Sequence, residues 1–175
     1  MKKVIIAVAA LFAMTHSFAQ QKEITHNNSW LKAGVNVGVP VGDASDFTSL
    51  AVGVDVSAQY LVNPNFGIGV ASGYTHFIKK DGGTSFGILP LGALLRYYPQ
   101  AKGFFLGTDL GYAFVTKGDN NGGFYIKPQL GYHNYNWNYY AFYNAVFQKD
   151  NSVSTTAINN LQSVGIAATY NIRFK

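Results

Sequence analysis

The chain has no cysteine, which excludes a disulfide-stapled fold and any thiolate metal site. Charge is scarce as well. Asp, Glu, Lys and Arg make up 12% of 175 residues, thin cover for a soluble domain, whose surface usually carries about 25–35%. The apolar run Val4 to Met14 falls well short of the roughly 20 residues that a membrane-spanning helix needs. Beyond it there is no helical period of any length. The basic residues are scattered through turns rather than gathered on one face, and no nucleic-acid module is visible. The glycines of "GVNVGVPVG" repeat with the period of a strand and no helix follows them, so they are no dinucleotide fingerprint. "DNNGG" at Asp119 to Gly123 lacks the ligand spacing of a calcium loop, and Asn121-Gly122 reads as a hairpin turn. No cofactor or metal is expected.

What is present begins with a targeting segment. "MKKVIIAVAALFAMTHSFAQ" carries Lys2 and Lys3, the apolar run, and a small-x-small site at Ser17-Phe18-Ala19. This predicts a secretory signal peptide over residues 1–19, cut before Gln20. Residues 20–175 then form one domain of 156 residues with a formal charge of +3.

That domain divides into eight apolar-alternating segments between turn-rich stretches, which is the strand signal repeated. The apolar face of the first runs Ala33, Val35, Val37, Val39, Val41, and that of the second from Leu50 to Tyr60 on even numbers. The third offers Phe66, Ile68, Val70 and Tyr74; the fifth Phe104, Leu106, Leu110, Tyr112 and Phe114; the sixth Phe124, Ile126, Leu130 and Tyr132. The fourth and seventh are less clean, and Leu89, Leu91, Ala93, Leu95, Tyr97 and Trp137, Tyr139, Ala141, Tyr143, Phe147 are assigned to their apolar faces. The eighth closes the chain with Val164, Ile166, Ala168, Tyr170, Ile172 and Phe174. Ser72, Thr108 and Pro128 interrupt these faces, and none is charged.

The opposite faces are mostly Gly, Ala, Ser and Asn. They also hold every charge that lies well inside a strand: Asp55, Arg96, Asp109, Lys127 and Arg173. A soluble barrel turns its polar face to water and would carry many Lys and Glu there. A membrane barrel reverses this, because a Lys or Arg facing lipid at mid-membrane costs about 2–4 kcal/mol. The pattern therefore predicts an all-β fold, an eight-stranded antiparallel up-and-down transmembrane β-barrel. Its five inward charges are expected to pair as a network that fills the lumen, since eight strands leave little open interior. Lining of a narrow ion path is the alternative.

The connections alternate in kind. "GDASDFTS", "KKDGGTS", "KGDNNGG" and "KDNSVSTTAINN" are polar, whereas "VNPN", "YPQAKG" and "HNYN" are shorter or hold proline turns. Long external loops and tight periplasmic turns are the asymmetry of outer-membrane barrels. Aromatics are expected to form interfacial girdles, with Tyr60, Phe66, Tyr97, Phe104, Tyr132 and Trp137 on one rim. Tyr74, Phe86, Phe114, Phe124 and Phe147 belong to the other.

In pattern, residues 29–175 resemble the small outer-membrane β-barrels of the OmpA/OmpX type, the β-barrel-domain or porin-family proteins of diderm bacteria. The local carriers are "WLKAGVNVGVPVGD", "GILPLGALLRYYP" and the closing "GIAATYNIRF". The resemblance implies a monomer in outer-membrane lipid, inserted by the outer-membrane assembly machinery through a last strand marked by Tyr170, Ile172 and Phe174. Here Lys175 follows the aromatic on which that family usually ends. It implies a structural or surface-interaction role carried by the external loops, whose sequences specify no partner; a small pore is the alternative. Barrels resembling this one also include lipid A deacylases and palmitoyl transferases, and hydrolysis of that kind needs a nucleophile with an adjacent histidine. His26 precedes the first strand, His133 lies at a periplasmic turn, and His76 near Ser72 or Ser85 is the one conceivable pair. No deacylase-like motif surrounds it.

Mass spectrometry of the exported protein should give a chain lacking residues 1–19 and beginning at Gln20; retention of Met1 to Ala19 would contradict the signal reading.

Overall fold

The computed structural model describes residues 30–80, 85–116, 122–134, 136–148 and 160–173. The expected signal segment, loop residues 81–84, 117–121 and 149–159, and Phe174 and Lys175 lie outside the described residues. Eight strands follow one another: β1 (Trp30–Val41), β2 (Thr48–Asn63), β3 (Phe66–Lys79), β4 (Phe86–Tyr97), β5 (Gly103–Val115), β6 (Gly123–His133), β7 (Trp137–Gln148) and β8 (Asn160–Arg173). Each pairs antiparallel with its sequence neighbours, and β8 pairs with β1 from Trp30↔Arg173 to Val41↔Gln162, closing the barrel. No helix among the described residues is long and apolar enough to cross a membrane, which says nothing about strands.

Strands form here because apolar β-branched and aromatic residues recur at every second position. The alternation becomes a wall with two unlike faces. Outward stand Ile166, Val35 and Val70, exposed by 64%, 62% and 58%, with the rest of the apolar set around them. No Asp, Glu, Lys or Arg takes an outward position within the strands among the described residues. The fourth and seventh strands follow the assigned parity: Leu89, Leu91 and Leu95, like Tyr139 and Tyr143, face out, while Asn138 and Asn144 are buried within.

Two gaps in the ladder fall at prolines, which have no N–H to give it. The β3–β4 register runs Ser72↔Leu91 and resumes at Thr75↔Ile88, skipping Pro90. Beside the gap, Ser72 Oγ donates to the Pro90 carbonyl at 2.9 Å, so a lipid-side hydroxyl and a backbone acceptor satisfy one another. The β6–β7 register likewise jumps from Ile126↔Ala145 to Gln129↔Phe142 across Pro128.

Three features depart from the sequence reading. The first connection is not wholly a loop: Gly42 takes a left-handed φ of 62° that glycine adopts freely, and one helical turn, α1 (Ala44–Phe47), follows. Ala44 is fully buried at that end of the lumen. Phe86 is not part of an outer girdle. Its even number in β4 sends it inward, where it stacks on Phe77 with ring centroids 5.0 Å apart. Nor is the inner face uniformly small, because Phe77, Phe105, Ile88 and Leu94 are fully or almost fully buried inside. Small residues supply the floor on which large ones lie. A Cβ at Gly165 would come 2.6 Å from Phe142 Cζ, and one at Gly131 would come 2.7 Å from Phe105 Cε1, both closer than real contacts allow.

The inner apolar side chains form two clusters. One gathers Ala44, Ala51, Phe77, Ile88, Ala113, Tyr125, Val146 and Leu161 at the loop end. The other gathers Leu61, Tyr98, Phe105, Tyr140, Phe142 and Ala167 toward the turn end. Between them lies a polar layer.

The outward face is tested by Ile166→Arg, which should cost about 2–4 kcal/mol if this face meets hydrocarbon, read by urea unfolding of the protein in lipid vesicles. An unchanged midpoint would place that face in water.

Candidate functional site: the lumen

Asp55 and Lys127 sit on β2 and β6, four strands apart on a ring of eight, so the Lys127 side chain crosses the lumen. Its Nζ lies 2.8 and 2.9 Å from the two Asp55 oxygens. Tyr140 Oη donates to Asp55 Oδ2 at 2.8 Å and Asn36 Nδ2 to Oδ1 at 2.9 Å. The ammonium also stands 4.5 Å from the Phe142 ring centroid, within cation–π range.

Asp109 is the direct cross-strand neighbour of Lys127, yet it takes a different cation. Arg96 Nη2 lies 2.8 Å from Asp109 Oδ1, and Gln129 Nε2 donates to Oδ2 at 2.7 Å. Arg96 Nη1 donates to the Leu95 and Thr108 carbonyls at 2.9 and 3.1 Å. Glycine makes that reach possible. Arg96 is registered between Gly67 and Gly107, and a Cβ on Gly107 would stand 2.8 Å from Arg96 Nε. The guanidinium lies flat on the wall where a side chain is missing.

Four of the five inward charges named from the sequence thus face the lumen as two ion pairs, each of them more than four-fifths buried. Arg173 ends β8, and its side chain lies outside the described residues. Removing water from a charge costs several kcal/mol, offset only where geometry and further hydrogen bonds are good. The extra donors on both carboxylates meet that condition.

A third polar group was missed. Lys32, 4% exposed, donates to Tyr98 Oη at 2.8 Å and stands 5.3 and 5.4 Å from the Trp30 and Tyr98 rings. Tyr98 Oη donates onward to Gln59 Oε1 at 2.8 Å. Burial pushes the Tyr98 phenol up to about 12, so it keeps its proton and remains a donor. His133, 3% exposed, packs on Tyr98 at 4.6 Å and lies 3.0 Å from the Gln100 carbonyl through Nε2. Tyr98 therefore folds back from the β4–β5 turn as a stopper. The turn sequence hid it, although its even number matches Arg96. Lys32 lies ahead of the alternation that starts at Ala33, in the three residues by which β1 extends it.

His76 stands apart from all of this. It is on the outer face beside Tyr74, with Nδ1 3.4 Å from Tyr74 Oη. Ser72 is committed to Pro90, and Ser85 Oγ accepts from Lys79 N at 3.2 Å. The described residues hold no group of three side chains that could bind a metal ion.

These features define a class: a closed eight-stranded antiparallel barrel, apolar outside and charged inside. No family model and no curated protein matches the chain. Among solved structures it is similar to one from the de novo design of transmembrane β-barrels, at 20% identity and a TM-score of 0.51, over 86% of this chain and 99% of that one. It is similar as well to the N-terminal β-barrel domain of Pseudomonas aeruginosa OprF, at 13% identity and a TM-score of 0.54, over 85% and 100% of the two chains. The fold is that of the small membrane β-barrels.

Lys127→Met strands Asp55 in the lumen and should cost about 3–5 kcal/mol in vesicle unfolding, whereas the Asp55→Asn/Lys127→Met double variant should recover most of it. Gly107→Ala is expected to destabilise in wild type and much less beside Arg96→Ala, because the Arg96 side chain is what the new methyl would strike.

Proposed function

We propose that the chain is an integral outer-membrane β-barrel protein with a closed lumen, and that its role is structural or surface-interacting rather than enzymatic. The observation that carries this reading is the inversion of the barrel wall: an uncharged apolar exterior around an interior whose carboxylates are each held by a cation and further donors. An exterior of this kind is what lipid requires, and a soluble monomer rarely exposes so large an apolar surface.

The outer-membrane lipid is then the partner of the belt, and the protein is a monomer. The last strand, with Tyr170 and Ile172 facing out at 43% and 40% exposure and Phe174 after them, is the segment that the assembly machinery would read. Against catalysis stands the position of His76, hydrogen-bonded to a phenol rather than to a serine. Against a pore stands the filling of the lumen by two apolar clusters with ion pairs between. The surface role falls to the loops by elimination.

Two measurements test the reading separately. Cell fractionation should recover the protein in the outer membrane, released only by detergent; recovery in the aqueous fraction would refute membrane integration. In planar bilayers the purified protein should show no steady conductance, and a stable open channel would refute the closed lumen.

A further inference from the structure

Beside the two ion pairs lies a small cavity of about 20 Å³, with Asp55, Arg96, Asp109, Tyr125 and Tyr140 on its wall. Ala71, 8% exposed, forms part of its floor. Neither ion pair spans it, because each carboxylate is satisfied by a different cation.

The chemistry of the wall selects the occupant. Two carboxylates and two cations cancel in this layer, so nothing favours an ion of either sign. The surface offers acceptors, Asp55 and Asp109, beside donors, Arg96 and the Tyr125 hydroxyl, so the ligand must both donate and accept. A cavity needs roughly 10–15 Å³ of this kind of volume and two to four polar partners to hold one water, and here both conditions are met.

We propose that this cavity is a built water site, in which one fixed water joins the Asp55–Lys127 and Arg96–Asp109 pairs into a single hydrogen-bonded network. The inference needs only the lumen geometry and stands whether or not the barrel meets a membrane.

A high-resolution crystal structure of the mature protein is the direct test. One density peak is expected in the cavity, within hydrogen-bond reach of Asp55 or Asp109 and of Arg96 or Tyr125; an empty cavity overturns the proposal. Ala71→Val fills the space and should abolish the peak. The bridging role is read from unfolding equilibria of Asp55→Asn, Asp109→Asn and the double variant. In the wild-type background the double should depart from the product of the singles by about tenfold, as for residues in one network. In the Ala71→Val background the departure should shrink to about twofold, the scatter of independent sites. Additivity in wild type, or coupling that persists undiminished in Ala71→Val, would show that no water links the pairs. If Ala71→Val fails to fold, the wild-type density decides.

Discussion

The β1–β8 ladder is the contact on which everything else rests. A strand at the edge of a sheet presents a row of unpaired N–H and C=O groups, and in hydrocarbon such groups have no water to turn to. Pairing from Trp30↔Arg173 to Val41↔Gln162 removes both edges at once. Closure fixes the number of strands, the number of strands fixes the width of the lumen, and that width decides which side chains can meet across it. The apolar exterior and the bonded interior are both consequences of this one ring of hydrogen bonds.

Most of the fold could be read from period alone, because a strand buried on one side and lipid-facing on the other records its orientation at every residue. Val35, Val70 and Ile166 are odd or even in their strands for that reason, and Asp55, Arg96, Asp109 and Lys127 are the opposite for the same one. What escaped was of another kind. Tyr98 sits beyond the last paired residue of β4, in a stretch whose proline and glycine look like turn and nothing more, and its inward fold is decided by Lys32, Gln59 and His133, which are far away in sequence. Nearness to a loop suggests a rim position for Phe86, although its even number alone sets it inside. The partners within the lumen were beyond parity altogether: it names the residues that face inward, but which carboxylate takes which cation depends on reach and on where glycine leaves room.

That dependence explains why the small inner residues and the large ones belong together. Gly107 lets Arg96 lie along the wall, Gly131 underlies Phe105, and Gly165 underlies Phe142. Interiors pack like organic crystals, and in a narrow tube this density is reached by setting rings and long cations over missing side chains. An inner face of small residues only would have left a channel. An inner face of large ones only could not have closed.

The Asp55–Lys127 pair also bears on the order in which the barrel comes together. In a flat sheet, β2 and β6 would stand about 19 Å apart, four spacings of roughly 4.8 Å, well beyond the length of a lysine. The two charges can touch only after the sheet has curled far enough to bring opposite walls face to face, across 72 residues of sequence. Hairpins form and zip without it, so the pair contributes nothing to the early steps and its full share to the last. It acts as a latch, separating a finished cylinder from a curved sheet that has not yet met its own edge.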